Sequence, residues 1–347
     1  MLVAVKSRLI YIAKLFVGLG LLVALLLIDD NWRKIIDIAA DVQLSYLVPF
    51  VGVSALLIWI SCIKWGLFID GKNRLISTHR LMGLYVIGYF FNNFLPSTLG
   101  GDAARSYILG RQIDSQEQAL ATVFLERFTG FVAMVSLAIG AFMLNPALRE
   151  EPVVLWSILF VAAITVGVII VIIRPALLSR VVEPLPIPVI GQTLIKKALR
   201  FRGHIIHFRG EWSLITRAMA YSYGFYALAA IKVYVAGLLL GIDCNLAQLF
   251  VVTPIVMLIA AVPVTLNGLG IQEWGYSVYL IFAGATLEEG LAIALVLRVA
   301  MLIISVFGGV LFLFEKDPVH RAEAAEAPVD HESFDGQPGY EVQDPVN

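Results

Sequence analysis

Charge is what this sequence has least of. Only 15% of its 347 residues are Asp, Glu, Lys or Arg, where a soluble domain carries about 25%. Cysteine is nearly absent: Cys62 and Cys244 sit in or beside apolar runs, with no metal-ligand spacing and no disulfide framework. Five histidines are scattered, and only His204 and His207 lie close together. At i, i+3 in a basic stretch they read as interfacial residues, so no metal site and no cofactor are expected. There is no DxD motif, no HxxxxD motif and no nucleotide-binding region, which leaves lipid-phosphate transfer chemistry with little support. The net charge of −1 carries no signal for nucleic acid, and none is expected as a partner. What is abundant is apolar surface: 59% hydrophobic residues and a mean hydropathy of +0.86. These values define the fold class as all-α, a polytopic helical membrane protein.

Ile10 to Ile28 is long enough to cross the hydrocarbon, which takes about 20 residues. It is too long for a signal-peptide core and lacks a small-residue cleavage site, so it reads as a retained first span. The polar loop from Asp29 to Ser45 suits an interfacial helix. Further spans follow at Tyr46 to Ile69, Ala119 to Leu144, Val153 to Ile173, Leu214 to Leu240 and Gly290 to Phe314. Lys64 and Lys232 can snorkel from their spans. The most basic stretch, 174–213, reads as a cytoplasmic loop lying on an anionic leaflet. That places the N-terminus and the C-terminal tail in the cytoplasm and the chain in the plasma (inner) membrane. Residues 316–347 are acidic, Pro- and Ala-rich and aperiodic, a composition of disorder. The membrane domain is thus 1–315.

Two segments do not fit this series. Phe91 to Leu109 reads FNNFLPSTLGGDAARSYIL, and Pro263 to Tyr276 reads PVTLNGLGIQEWGY. Each interrupts apolar sequence with Pro, Gly, Asn and charge. Non-helical backbone at membrane depth is tolerated only where protein or a water-filled cavity satisfies it. If the first break were a full crossing, the basic stretch would lie outside the cell. A re-entrant hairpin, with halves Leu81 to Leu95 and Leu99 to Gly110, keeps it inside. The second break then enters from the opposite face. The expected architecture is about seven full spans plus two re-entrant or broken helical hairpins arranged as inverted repeats, roughly 46–144 and 214–314. Paired discontinuous helices of this kind point to a transporter-like site.

The candidate substrate-binding residues cluster at the breaks. Asn92, Asn93, Gly100, Gly101, Asp102 and Arg105 belong to the first, and Asn267, Gly268, Gly270 and Glu273 to the second. Glu126, Arg127 and Arg298 lie within spans. A helix N-terminus carries about half a positive charge and binds anions. Arg105 adds a bidentate donor for a phosphodiester, and Arg127 and Arg298 add charge. Asp102, Glu126 and Glu273 would hold these arginines or meet a cationic headgroup. Plainer readings stand beside these. Asp102 could be only an N-cap, and Arg105 could snorkel. Glu126 and Arg127 could serve an interhelical ion pair with another span, one that involves Arg105. Glu273 could sit at the external interface, and Arg298 could be structural.

NNFLPSTLGGDAARSYIL, ATVFLERFTG and PVTLNGLGIQEWG together resemble the flippase-like membrane domain family, over about residues 10–315. That family includes the flippase domain of lysylphosphatidylglycerol synthases and proteins of polyprenol- and hopanoid-linked pathways. The resemblance implies movement of a lipid headgroup across the bilayer without ATP and without enzymatic chemistry. The partner expected is a membrane lipid with an anionic or lipid-phosphate headgroup, and an oligomer is compatible with it. No soluble aminoacyl-transferase domain follows the spans, so lysyl-lipid synthesis is not expected. The alternatives are an integral membrane transferase acting on a lipid phosphate, or a non-transporting regulatory subunit.

Overall fold

In lipid every backbone N–H and C=O must be satisfied within the protein, and a chain with long apolar runs does this by forming helices. The computed structural model describes residues 2–69, 76–94, 100–173, 201, 203–205, 210–262 and 264–315, and among them there is no strand. Twelve α-helices are resolved: α1 Leu2–Leu27, α2 Asn31–Ala40, α3 Leu47–Ile69, α4 Thr78–Phe94, α5 Gly100–Gln112, α6 Gln116–Leu144, α7 Pro146–Arg149, α8 Pro152–Ile173, α9 Trp212–Leu239, α10 Leu246–Ala261, α11 Ile271–Tyr279 and α12 Leu287–Leu313. The protein is an all-α, multi-pass membrane protein. Among the described residues five helices are long and apolar enough to span, and six if α1 and α2, bent by 77° from one another, count as one. Most of the basic stretch, the tail from residue 316, and the break residues 95–99 and Pro263 lie outside the described residues.

The polar loop after the first span does form a helix, α2. Its Lys34 pairs with Glu288 at the start of α12 at 3.5 Å. Asn31 donates back to the Leu25 carbonyl at 2.9 Å, which holds the bend.

Four of the shorter helices, α4, α5, α10 and α11, pair into two hairpins. With 13 residues, α5 is only about 20 Å long at 1.5 Å per residue. It folds back along α4. A methyl group on Gly101 would lie 2.0 Å from the Gly88 carbonyl oxygen and 2.7 Å from the Asn92 side chain, so the two backbones touch. On its opposite side α4 packs against α12, where a methyl on Gly308 would lie 2.1 Å from the Val86 carbonyl oxygen. Small residues are what permit such close helix approach. The segment Leu81–Gly110 is therefore a hairpin and not one continuous helix.

The second hairpin is α10 and α11. Gly275 sits against Val256 and Gly268 against Ala260. The Asn245 N–H donates to the Ala283 carbonyl at 2.8 Å and closes the open end. At the tip, Asn267 (φ 47°), Gly268 (φ 68°) and Gly270 (φ 79°) are all left-handed. Side chains rarely adopt that conformation, and Gly and Asn tolerate it best. Helix α1 covers the tip, and a methyl on Gly270 would meet the Gly18 carbonyl at 2.5 Å.

Each hairpin anchors its own core. Trp65, Leu84, Ile87 and Leu109 are buried around α4 and α5, and Leu249, Ile255, Leu258, Tyr279 and Ile293 around α10 and α11.

Gly101→Ala should lower the thermal midpoint in detergent, with a loss of about 2 kcal/mol from overpacking. Gly83→Ala, on the neighbouring helix α4 with nothing within 4 Å of the added methyl, should be neutral or stabilising, since Ala is the better helix former by about 1 kcal/mol. Circular dichroism melts of the two variants check the difference.

Candidate functional site

An acidic residue in the first turn of a helix is favoured by the helix dipole, and Asp102 occupies that position in α5. Capping falls elsewhere: the Asn92 side-chain oxygen accepts from the Gly101 N–H at 2.8 Å. Asp102 is thereby left to the arginines. Its Oδ1 accepts from Arg105 Nε at 3.1 Å and lies 2.9 Å from Arg105 Nη2. The same oxygen accepts from Arg127 Nη2 at 3.0 Å, and Oδ2 accepts from Arg127 Nε at 3.1 Å.

Arg105 is the centre of the cluster. Its side chain is 2% exposed, and Nη2 also reaches Glu126 Oε2 at 2.8 Å. The guanidinium lies 4.8 Å from the Trp65 ring centre and 4.7 Å from that of Tyr85, so two aromatic faces add cation–π attraction. Trp65 is fixed by donating to Thr122 Oγ1 at 3.1 Å. The other oxygen of Glu126 pairs with Lys64 Nζ at 3.3 Å, and Lys64 donates to Ser222 at 3.2 Å.

Lys64 thus does not snorkel. Its side chain is 7% exposed, and Glu126 compensates its charge inside the bundle. Glu126 and Arg127, neighbours in sequence, converge on the same network: Glu126 grips Arg105 and Lys64, and Arg127 reaches out to Asp102. By formal charge the cluster holds three cations, Lys64, Arg105 and Arg127, against two carboxylates, Asp102 and Glu126. One positive charge is in excess. Arg127, 43% exposed, is the open edge.

The second cluster belongs to the tip of α10–α11. Glu273 is buried. Its Oε2 accepts from the Gly270 N–H at 2.7 Å, a capping interaction reached back from the first turn. Its Oε1 accepts from Arg298 Nε at 2.5 Å. Arg298 also donates to the Asn267 carbonyl at 3.2 Å and to Gln272 Oε1 at 3.4 Å. It clamps the tip onto α12, and this cluster is formally neutral.

The two tips meet through adjacent asparagines. While Asn92 caps α5, Asn93 Oδ1 accepts from Asn267 Nδ2 at 2.5 Å. Asn93 Nδ2 donates to the Tyr89 carbonyl at 3.1 Å and to Ser305 of α12. Gly100 and Gly101 are buried at the start of α5, and Gly268 is buried in the second tip. One N–H group at each helix start is already occupied. The Gly101 and Gly270 N–H groups are held by Asn92 and Glu273, because buried donors must find partners. Sequence reasoning also missed Trp65, Ser222, Ser305 and the pairing of Lys64. Only Lys64 carried a signal, as a lysine inside an apolar span.

The family described as the lysylphosphatidylglycerol synthase TM region matches residues 11–309. The chain belongs to that family. Both hairpins and both clusters of this lysylphosphatidylglycerol synthase TM-region protein lie inside the matched residues. It is also similar to the UPF0104 membrane protein PH1989 of Pyrococcus horikoshii, at 23% identity over 299 residues, covering 79% of this chain and 88% of the relative. No solved structure matches it.

Glu273→Gln should leave Arg298 uncompensated and cost about 3 kcal/mol of stability. Adding Arg298→Met should recover a good part of that loss. Thermal unfolding of the two single variants and the double variant in detergent measures the coupling, and additive losses would show that the pair acts as two independent residues.

Proposed function

We propose that this protein moves an anionic lipid headgroup, carried by a phospholipid or a polyprenyl phosphate, from one leaflet to the other without making or breaking a lipid bond. The observation that carries this reading is the excess positive charge of the Asp102–Arg105–Glu126–Arg127–Lys64 cluster. Charges among apolar helices are expensive and are kept in balance or used. Here two carboxylates leave one cation over, and the partly exposed Arg127 presents it at the edge. A phosphodiester supplies one negative charge and bidentate acceptors for a guanidinium.

The two hairpins supply the moving parts. In this reading they are inverted repeats entering from opposite faces of the plasma membrane, with the N-terminus and tail cytoplasmic. Their tips are joined by the Asn93–Asn267 contact and a few further bonds to α12. These polar contacts can be exchanged more readily than a packed apolar interface, so one hairpin can rock against the other and open the site to either side. The basic stretch 174–213 would hold the cytoplasmic leaflet, where anionic lipid is drawn to lysine and arginine.

Purified protein in liposomes containing a fluorescent phosphatidylglycerol is expected to expose inner-leaflet label to an external quencher. Arg127→Ala should slow this about tenfold, the effect of ~1.4 kcal/mol on a barrier, while Arg127→Lys retains part of the rate. Redistribution without a new lipid species fits the reading. A new labelled product would indicate a transferase, and folded protein that leaves the label in place would refute transport.

A further inference from the structure

Resting on that reading, we infer that Asp102 is an internal counter-ion: its carboxylate occupies the place of the lipid phosphate between Arg105 and Arg127, and the arriving headgroup displaces it. Three observations converge. First, Asp102 is not needed to cap its helix, because Asn92 holds the Gly101 N–H. Second, a single oxygen, Oδ1, accepts from both arginines, the bridging geometry of an oxyanion held between two guanidinium groups. Third, among the described residues Arg105 Nη1 is buried with no hydrogen-bond partner, although burying an unsatisfied donor is costly. The carboxylates of Asp102 and Glu126 engage Nε and Nη2 and leave that donor over. A phosphodiester, larger and tetrahedral, presents oxygens in more directions and can reach it.

The two carboxylates of the cluster are not equivalent. Glu126 is gripped by Arg105 and Lys64 and is 4% exposed. Asp102 is 13% exposed and shares its second arginine, Arg127, with the surface. Asp102 is therefore the one that can leave. Exchange of one anion for another keeps the arginines paired at each stage. The headgroup binds against a competitor and is released when the competitor returns, so the site transfers lipid and does not trap it. Asp102 is a positioning residue in this scheme; it sets how tightly the headgroup is held.

The test uses the full chain. Binding of dihexanoyl phosphatidylglycerol is measured by calorimetry in detergent, with inorganic phosphate as a competing soluble anion, and flipping is measured in liposomes. Asp102→Asn and Asp102→Ser are expected to bind the lipid about tenfold more tightly, the removal of a competing charged partner worth roughly one order of magnitude, and to flip it more slowly. Asp102→Glu should return both towards wild type. Competition by phosphate assigns recognition to the phosphate group, and competition only by the intact lipid overturns that assignment. Unchanged or weaker binding in the Asn and Ser variants, with wild-type flipping intact, overturns the counter-ion role and leaves transport standing. Wild-type protein that neither binds nor flips overturns both. Wild-type protein labelled with carbon-13 aspartate gives a second measurement: lipid should shift an arginine-paired carboxylate band in the infrared difference spectrum, and no shift counts against displacement.

Discussion

Arg105 can be buried only because Glu126 lies 2.8 Å from it, and much of the first half of the protein is arranged around that pair. An arginine among apolar helices needs its charge met and its five donors occupied. Helix α6 supplies the carboxylate, α5 supplies the arginine and Asp102, and α3 supplies Lys64 and the Trp65 face. None of these helices could shift by a turn without stranding a charge. The network therefore fixes the register of three helices that apolar packing alone would leave free to slide.

The second half solves the same problem more simply. One carboxylate, Glu273, caps the short helix α11 and neutralises Arg298 in a single reach. The contrast separates their roles. A balanced pair that also satisfies the local backbone is a structural clamp. A cluster with three cations, two carboxylates and a partly exposed arginine has one formal charge over, the charge that the proposed function assigns to the lipid headgroup. The asparagines of α4 join them, since successive residues on one helix end reach different hairpins. The two tips are thus tied to adjacent residues of one helix.

Glycine does for α4 what charge does for α5. Gly101 on one side and Gly308 on the other bring backbone against backbone. The helix carrying the linking asparagines is held between two close, featureless seams. Such seams hold α4 at close approach to both neighbours.

The sequence by itself determined that this is a helical membrane protein, that two segments break the helical pattern, and that Asp102, Arg105, Glu126, Arg127, Glu273 and Arg298 are charges placed at those breaks or within apolar spans. Hydropathy and the Pro–Gly–Asn punctuation are local properties, so they are readable along the chain. The limits of the later spans followed to within a few residues, while α1 begins eight residues before the expected Ile10. Only the tertiary structure decided which charge meets which. Glu126 and Arg127 point in different directions from one helix, and nothing in their spacing shows that Arg105 and Asp102 lie where each can find a partner. Lys64 looked like a snorkelling lysine until α6 and α9 were placed beside it. Nothing in the spacing shows that Asn92 and Glu273 each hold one N–H group at a break. Each of these depends on a contact between residues far apart in the chain, or on a side chain folding back on its own helix start, and such contacts are set by packing in three dimensions.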